Sequence, residues 1–296
     1  MAGDPSTVEI VSPHTKLVRR SLAGWATFIY MFLFSPIVLL IVLSFNKNPF
    51  GTFPITGWTL HWFKQVANSP DLQTAIKTSL QVGFEVTVIA TVVGTAAAFP
   101  LVRSRLPFRS GLRIVFILPI MIPGVLIGVS LLSFLRNALN VQLSAQTAVI
   151  AQAVYTTPYV LLIVAARLEG FDRRLEQAAS DLGANKLRTF RYVILPLIGP
   201  AAFAGALFAF TLSLDEFVIT YFVIGAQVTL PIYIYTQIKF GITPAINAVA
   251  TLLIIGSLTI TGLGLIIPRL LRSGVRQVRS YRVRRLQSTV QIASGP

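Results

Sequence analysis

Cysteine is absent from this 296-residue chain, and histidine occurs only at His14 and His61. The first absence excludes disulfides, thiolate metal sites and a cysteine nucleophile. The two histidines lie far apart, one in a polar N-terminal stretch and one in a loop, so no His pair stands at metal-ligand spacing. No G-x-x-x-x-G-K-[ST] phosphate loop occurs either. The chain is therefore expected to bind no cofactor and to hydrolyse no ATP by the P-loop route; nucleotide energy, ATP with Mg, must act on another subunit. No nucleophile–base pair marks a membrane enzyme. The internal repeats common in proton-coupled carriers are also missing.

Charge is scarce: 12% of residues are charged and only 10 are acidic, against 54% hydrophobic. With a mean hydropathy of +0.73, the chain has too little polar surface for a soluble globule and reads as an all-α polytopic membrane protein. A membrane-crossing helix needs about 20 apolar residues. Six segments qualify: residues 25–45, 79–102, 112–135, 146–167, 198–224 and 247–268. Residues 1–20 then form an N-terminal tail, 21–270 the six-helix domain with a polar loop at 169–196, and 271–296 a basic C-terminal tail. The first apolar segment exceeds a signal-peptide core and ends without a small-x-small cleavage site, so it reads as a retained anchor.

Lys and Arg placement sets the topology. Twenty of the 25 basic residues fall in the N-terminal tail, the second-to-third connection, the fourth-to-fifth connection and the C-terminal tail. The opposite face carries only Lys47, Lys64, Lys77, Arg136 and Lys239, which puts both termini in the cytoplasm. The net charge of +15 is thus a topology signal, and nucleic acid is not an expected partner. The tail after Pro268 suits anionic lipid headgroups, at about 1 kcal/mol per basic residue near the surface.

The loop at 169–196 is polar between two apolar blocks. Ala178, Ala179 and Leu182 make a narrow apolar strip on a helix bearing Arg173, Arg174, Glu176 and Asp181. Gly183 bends the chain, and a second short helix places Leu187, Phe190 and Ile194 on one side until Pro196 ends it. Such a segment suits either the headgroup boundary or a docking contact. Small residues at Gly94, Ala96, Ala97 and Ala98, and the G-x-x-x-G of Gly124 and Gly128, predict close helix packing. Trp58 and Trp62 suit an interfacial belt or a short amphipathic helix.

Acidic residues inside spans are costly, about 2.5–3.5 kcal/mol at mid-membrane on insertion scales, and mark a pathway or a partner. Glu85 lies roughly 9 Å into the second span, and Asp215 roughly 25 Å up the fifth, at ~1.5 Å per residue. On a continuous helix Asp215 and Glu216 would point about 100° apart. Three carboxylates in the outer part of the membrane, with no basic residue inside any span, suit a passing cation; pairing with a second membrane chain, or a part in gating, is the other reading. Tyr155 and Tyr159 flank Pro158 in the fourth span, where aromatic faces suit an ammonium group as well as packing.

The block Gln177-Ala178-Ala179, then Gly183, then Val193-Ile194-Leu195-Pro196, resembles the EAA loop of permease subunits in binding-protein-dependent ABC importers. The spacing agrees throughout, with Gln177 where the family has Glu and Val193 where it has Ile. The resemblance implies a six-span type I importer (MetI-like) permease, paired with a second permease subunit, a dimer of ATP-binding subunits and an extracytoplasmic substrate-binding protein. It implies that Glu176, Gln177, Ala178, Ala179, Asp181, Gly183 and Lys186 contact the ATPase as a coupling helix. The run from Phe210 to Ile219, with Leu230 to Tyr235 and Ile242 to Thr251, resembles permeases of the spermidine/putrescine class. That likeness implies a polyamine as solute and a pathway including Asp215, Glu216, Glu85, Tyr155 and Tyr159. Permeases for other amines, amino-acid derivatives, iron or sulfate share parts of the pattern, and an autonomous secondary carrier or channel is the reading from another class.

Overall fold

The computed structural model describes residues 13–103, 108–240, 243–259, 262 and 266. Its elements, in chain order, are α1 (Pro13–Ser44), α2 (His61–Ala67), α3 (Pro70–Arg103), α4 (Arg109–Met121), α5 (Gly124–Ser133), α6 (Ala145–Glu169), α7 (Arg174–Asp181), α8 (Lys186–Thr189), α9 (Leu195–Asp215), α10 (Val218–Val223) and α11 (Leu230–Phe240). A further apolar helix, α12, runs over Pro244–Thr259. No strand occurs among the described residues, only an isolated bridge between Asn46 and Trp58. The basic C-terminal tail and residues 1–12 lie outside the described residues.

Among the described residues four helices are long and apolar enough to cross a membrane, α1, α3, α6 and the run Lys186–Asp215, and a fifth span is supplied if α4 and α5 count as one bent element. Five of the six spans expected from hydropathy have a counterpart here, two of them broken, while the sixth, 247–268, falls on the shorter α12 and on residues outside the described ones. The third bends by 100° between Met121 and Gly124. Pro123 causes it: the residue before a proline is driven to extended backbone, and Ile122 sits at ψ 129°. The fifth, expected to run to Ile224, stops at Asp215 because Glu216 turns extended at ψ 109°. Asp215 and Glu216 thus do not share a continuous helix. Pro196, expected to end a helix, does not. The chain winds from α8 through a π turn at Phe190–Ile194 into α9, with the Leu195 N–H reaching Phe190 O, and Pro196 occupies the first turn of α9, where its missing N–H costs least.

Two compact units divide the described chain. One includes α1 and the loop after it. The α1 surface is open to the surroundings up to Leu39, as a lipid-facing or subunit-facing span would be. The loop winds around Asn46, which is fully buried: its amide donates to Thr52 O at 3.0 Å, and its Oδ1 accepts from the N–H groups of Asn48 and Thr56 at 3.1 and 3.2 Å. Trp62 donates its indole N–H to Asn46 O at 2.7 Å. Trp62 therefore staples this loop, while Trp58 stays exposed.

The other unit is a bundle in which α3, α6 and α9 pack mutually. Its first core joins Ala90, Ala98, Leu101, Val160, Leu161, Val164, Ile198 and Ala209. Lipid offers no hydrophobic force between helices, so association rests on close van der Waals fit. Gly94 supplies it: a Cβ there would lie 2.9 Å from Val160 and 3.0 Å from the Thr157 carbonyl. Gly94 and Ala98 face this contact, while Ala96 faces outward. A second core joins α5, α6, α10 and α11 through Ile127, Ala148, Ala151, Ile219, Val223 and Ile232. Gly128 lets α10 approach, since a Cβ there would meet the Phe222 ring at 2.7 Å.

Candidate functional site

The break in the fifth span is built by its own residues. The Glu216 carboxylate turns back over α10 and accepts from Ile219 N–H at 2.6 Å, occupying one of the donors a helix start leaves free. Glu216 is half-buried, whereas Asp215 is exposed and its carboxylate has no ion pair or hydrogen bond among the described residues. Neighbouring positions in the sequence thus have different work: one carboxylate holds the backbone, and the other is free.

A residue missed in the sequence reading organises this break. Gln152, from the middle of α6, is 1% exposed. Its amide N–H donates to Thr220 Oγ1 at 2.6 Å, and its Oε1 accepts from the Ser213 hydroxyl. Ser213 precedes the break and Thr220 follows it, so one side chain clamps both sides. Thr147 adds a second tie, donating to Val223 O at 2.6 Å. A lone amide inside an apolar span was the available signal, because such a group must find partners away from water.

Tyr155 and Tyr159 stand on the same α6. Tyr159 donates its hydroxyl to that of Tyr155 at 3.2 Å, the rings are 5.7 Å apart, and Tyr159 also meets Phe208 of α9 at 5.6 Å. Tyr155 packs against the core that includes Ile219 and Val223 of α10. Glu85 keeps a local partner, accepting from Gln81 at 2.9 Å one turn below it on α3. Among the described residues no three His, Asp or Glu side chains gather as a metal ion would require.

At the polar loop the expected helix, bend and helix are present. Asp172 Oδ1 accepts from Arg174 N–H at 2.9 Å as α7 begins, and Gly183 at φ +79° reverses the chain. Asn185 caps α8 by accepting from Arg188 N–H at 2.8 Å. Gln177, Ala178, Asp181, Gly183 and Lys186 are exposed, with Leu182 open at 88% and Leu187 at 73%. Glu176 and Ala179 are half-buried. Glu176 pairs with Arg103 at 2.9 Å, and the Arg103 guanidinium also stands 5.5 Å over the Phe171 ring. Arg173 donates to Val102 O at 3.1 Å. The loop is thereby fastened to the end of α3, and Phe190 at its far end meets Phe99 of α3 at 5.2 Å. The Leu187, Phe190 and Ile194 side divides accordingly: Ile194 is buried, Phe190 half-buried and Leu187 free.

Residues 90–276 match the family model described as "Binding-protein-dependent transport system inner membrane component". The chain belongs to this family. It is 38% identical over 244 residues to the spermidine/putrescine transport system permease protein PotC of Escherichia coli (strain K12), across 81% of this chain and 90% of that protein. It is 35% identical over 240 residues to the putrescine transport system permease protein PotI of the same strain, across 79% and 85%. The sulfate transport system permease protein CysT of Salmonella typhimurium is 30% identical over 257 residues, across 81% and 91%. Among solved structures, one of a bacterial ABC transporter involved in the import of the acidic polysaccharide alginate has TM-score 0.66 at 12% identity, covering 87% of this chain and 98% of that one. The fold is therefore that of ABC importer permeases, and the chain is a multi-pass membrane transport subunit.

Proposed function

We propose that this permease forms part of the membrane pathway of an ATP-driven importer for a polyamine, with Asp215 as its cation-facing carboxylate. The observation that carries this reading is the exposed, unpartnered Asp215 beside a Glu216 already engaged in holding α10. A carboxylate on the outer surface of a spanning helix is too costly against lipid, so that surface faces water, cargo or a second permease subunit. The likeness to PotC and PotI supports a polyamine as the cargo. Tyr155 packs against the core that holds α10, with Tyr159 beside it, while Glu85, bonded within α3, is given a lesser part.

The partners in this reading are a second permease, a pair of ATP-binding subunits that hold ATP and Mg, and an extracytoplasmic binding protein. The exposed face of α7 through α8, with Gln177, Ala178, Asp181, Leu182, Gly183, Lys186 and Leu187, is the contact for the ATPase, and both termini lie in the cytoplasm. Glu176 serves this contact from behind through its pair with Arg103. ATP-driven closure of the ATPase would press α7, and the tie to α3 would carry that motion toward the bundle, shifting it between inward-open and outward-open states.

The test is ATPase stimulation of the reconstituted complex by its binding protein with spermidine, putrescine, sulfate or a neutral solute. Polyamine-specific stimulation, weakened in Asp215→Asn, is the expected result. Stimulation by sulfate, for which CysT makes a case, with Asp215→Asn unaffected, would keep the importer and end the cation reading.

A further inference from the structure

We propose that Phe217, Tyr221 and Tyr235 form an aromatic subsite that holds an ammonium group of the transported cation beside Asp215; the inference rests on the polyamine reading above. Phe217 caps the start of α10 and Tyr221 lies one helical turn on, so they share a face. Helix α11 brings Tyr235 against both. The ring centroids are 4.7 Å apart for Phe217 and Tyr235, 5.5 Å for Phe217 and Tyr221, and 6.0 Å for Tyr221 and Tyr235, a closed triangle.

Packing accounts for the contact between the rings but not for where they point. The opposite face of α10 is sealed, with Ile219, Thr220 and Val223 at 0% exposure, while Tyr221 and Tyr235 are 48% and 43% exposed. Neither hydroxyl has a hydrogen-bond partner among the described residues. Two open phenol rings with free hydroxyls are poorly matched to acyl chains. They suit a ligand with a positive, partly hydrated head, which ring faces attract within about 6 Å of the centroid. Phe217 stands two residues after Asp215 in the chain, so in this proposal the free carboxylate takes the cation next to the rings. An alkyl diamine or triamine, with ammonium groups separated by methylenes, could occupy rings and carboxylate together.

The experiment measures radiolabelled spermidine uptake and ATP hydrolysis together in proteoliposomes holding the whole complex with saturating binding protein. Tyr221→Leu and Tyr235→Leu should each lower the spermidine moved per ATP about tenfold, while Tyr221→Phe and Tyr235→Phe stay within about twofold, because a phenyl face retains the attraction. Should a Leu variant fail to assemble, increasingly fluorinated tyrosines at 221 or 235 keep the shape and deplete the ring face, and transport per ATP should fall step by step. Leu variants with a wild-type ratio, Phe variants that fall as far as Leu, or indifference to fluorination would each overturn the subsite. Wild type that moves neither spermidine nor putrescine would overturn the polyamine reading and the subsite with it, whereas polyamine transport unaffected by these changes overturns the subsite alone.

Discussion

The two polar regions of the bundle treat their charged groups in opposite ways. Around the loop, carboxylates and guanidiniums are spent on one another and on backbone: Arg103 with Glu176 at 2.9 Å, Arg173 with the Val102 carbonyl, Asp172 with the start of α7. At the break in the fifth span only Glu216 is so used, and Asp215, Tyr221 and Tyr235 are left open. In the proposed reading the loop is a lever, which must be stiff, so the groups that fasten it to α3 are satisfied internally. A pathway must offer unsatisfied groups to its cargo, and an unpaired carboxylate near lipid is tolerated only at a cost in stability.

The sharpest way to break this contrast is Asp215→Asn. Spermidine uptake should fall about tenfold to a hundredfold, the loss of a charged partner worth roughly 1.5–3 kcal/mol, while the thermal stability of the purified complex holds or rises. A fall in melting temperature would mean that Asp215 is structural after all. Next comes Gln152→Leu, which strands the Ser213 and Thr220 hydroxyls on the two sides of the break. Side-chain hydrogen bonds between membrane helices are worth about 0.6–2 kcal/mol each, so a melting temperature lower by a few degrees and a severalfold loss of uptake are expected. Unchanged values would show that the break holds without its clamp.

On the loop side, Arg103→Glu should reduce uptake at a given rate of ATP hydrolysis, and Arg103→Glu with Glu176→Arg should restore most of it. The pair is only partly exposed, at 14% and 26%, so its worth is about 1 kcal/mol, and absence of rescue would remove it from the lever. The smallest expected change is Gly183→Ala. The left-handed backbone at φ +79° costs a residue with a Cβ about 1 kcal/mol, although open space surrounds the site. Co-purification of the ATP-binding subunits should weaken slightly, read as a shifted dissociation midpoint in salt.

Much of the architecture was legible because hydropathy is a property of segments, summed over some 20 residues. Pro123 and Glu216 each interrupted a segment whose average hydropathy was unaffected, and averaging hid both breaks. Pro196 misled in the other direction, since a π turn just before it relieved the clash that its ring would otherwise force. The loop was readable from spacing alone, yet the spacing could not show that Glu176 faces Arg103, a residue 73 positions earlier in the chain. Gln152 stood in plain view as an amide among apolar residues, but its partners lie on other helices.

By itself the sequence determined the class of molecule, most of its apolar segments and the place of the polar loop, because each depends on local composition and period. The tertiary structure decided the division of labour between Asp215 and Glu216, the pairing of Glu176, the clamp of Gln152 and the aromatic triangle of Phe217, Tyr221 and Tyr235. Each of those depends on which groups meet across helices, and in a bundle packed through small residues a shift of a fraction of a turn would exchange one set of neighbours for another.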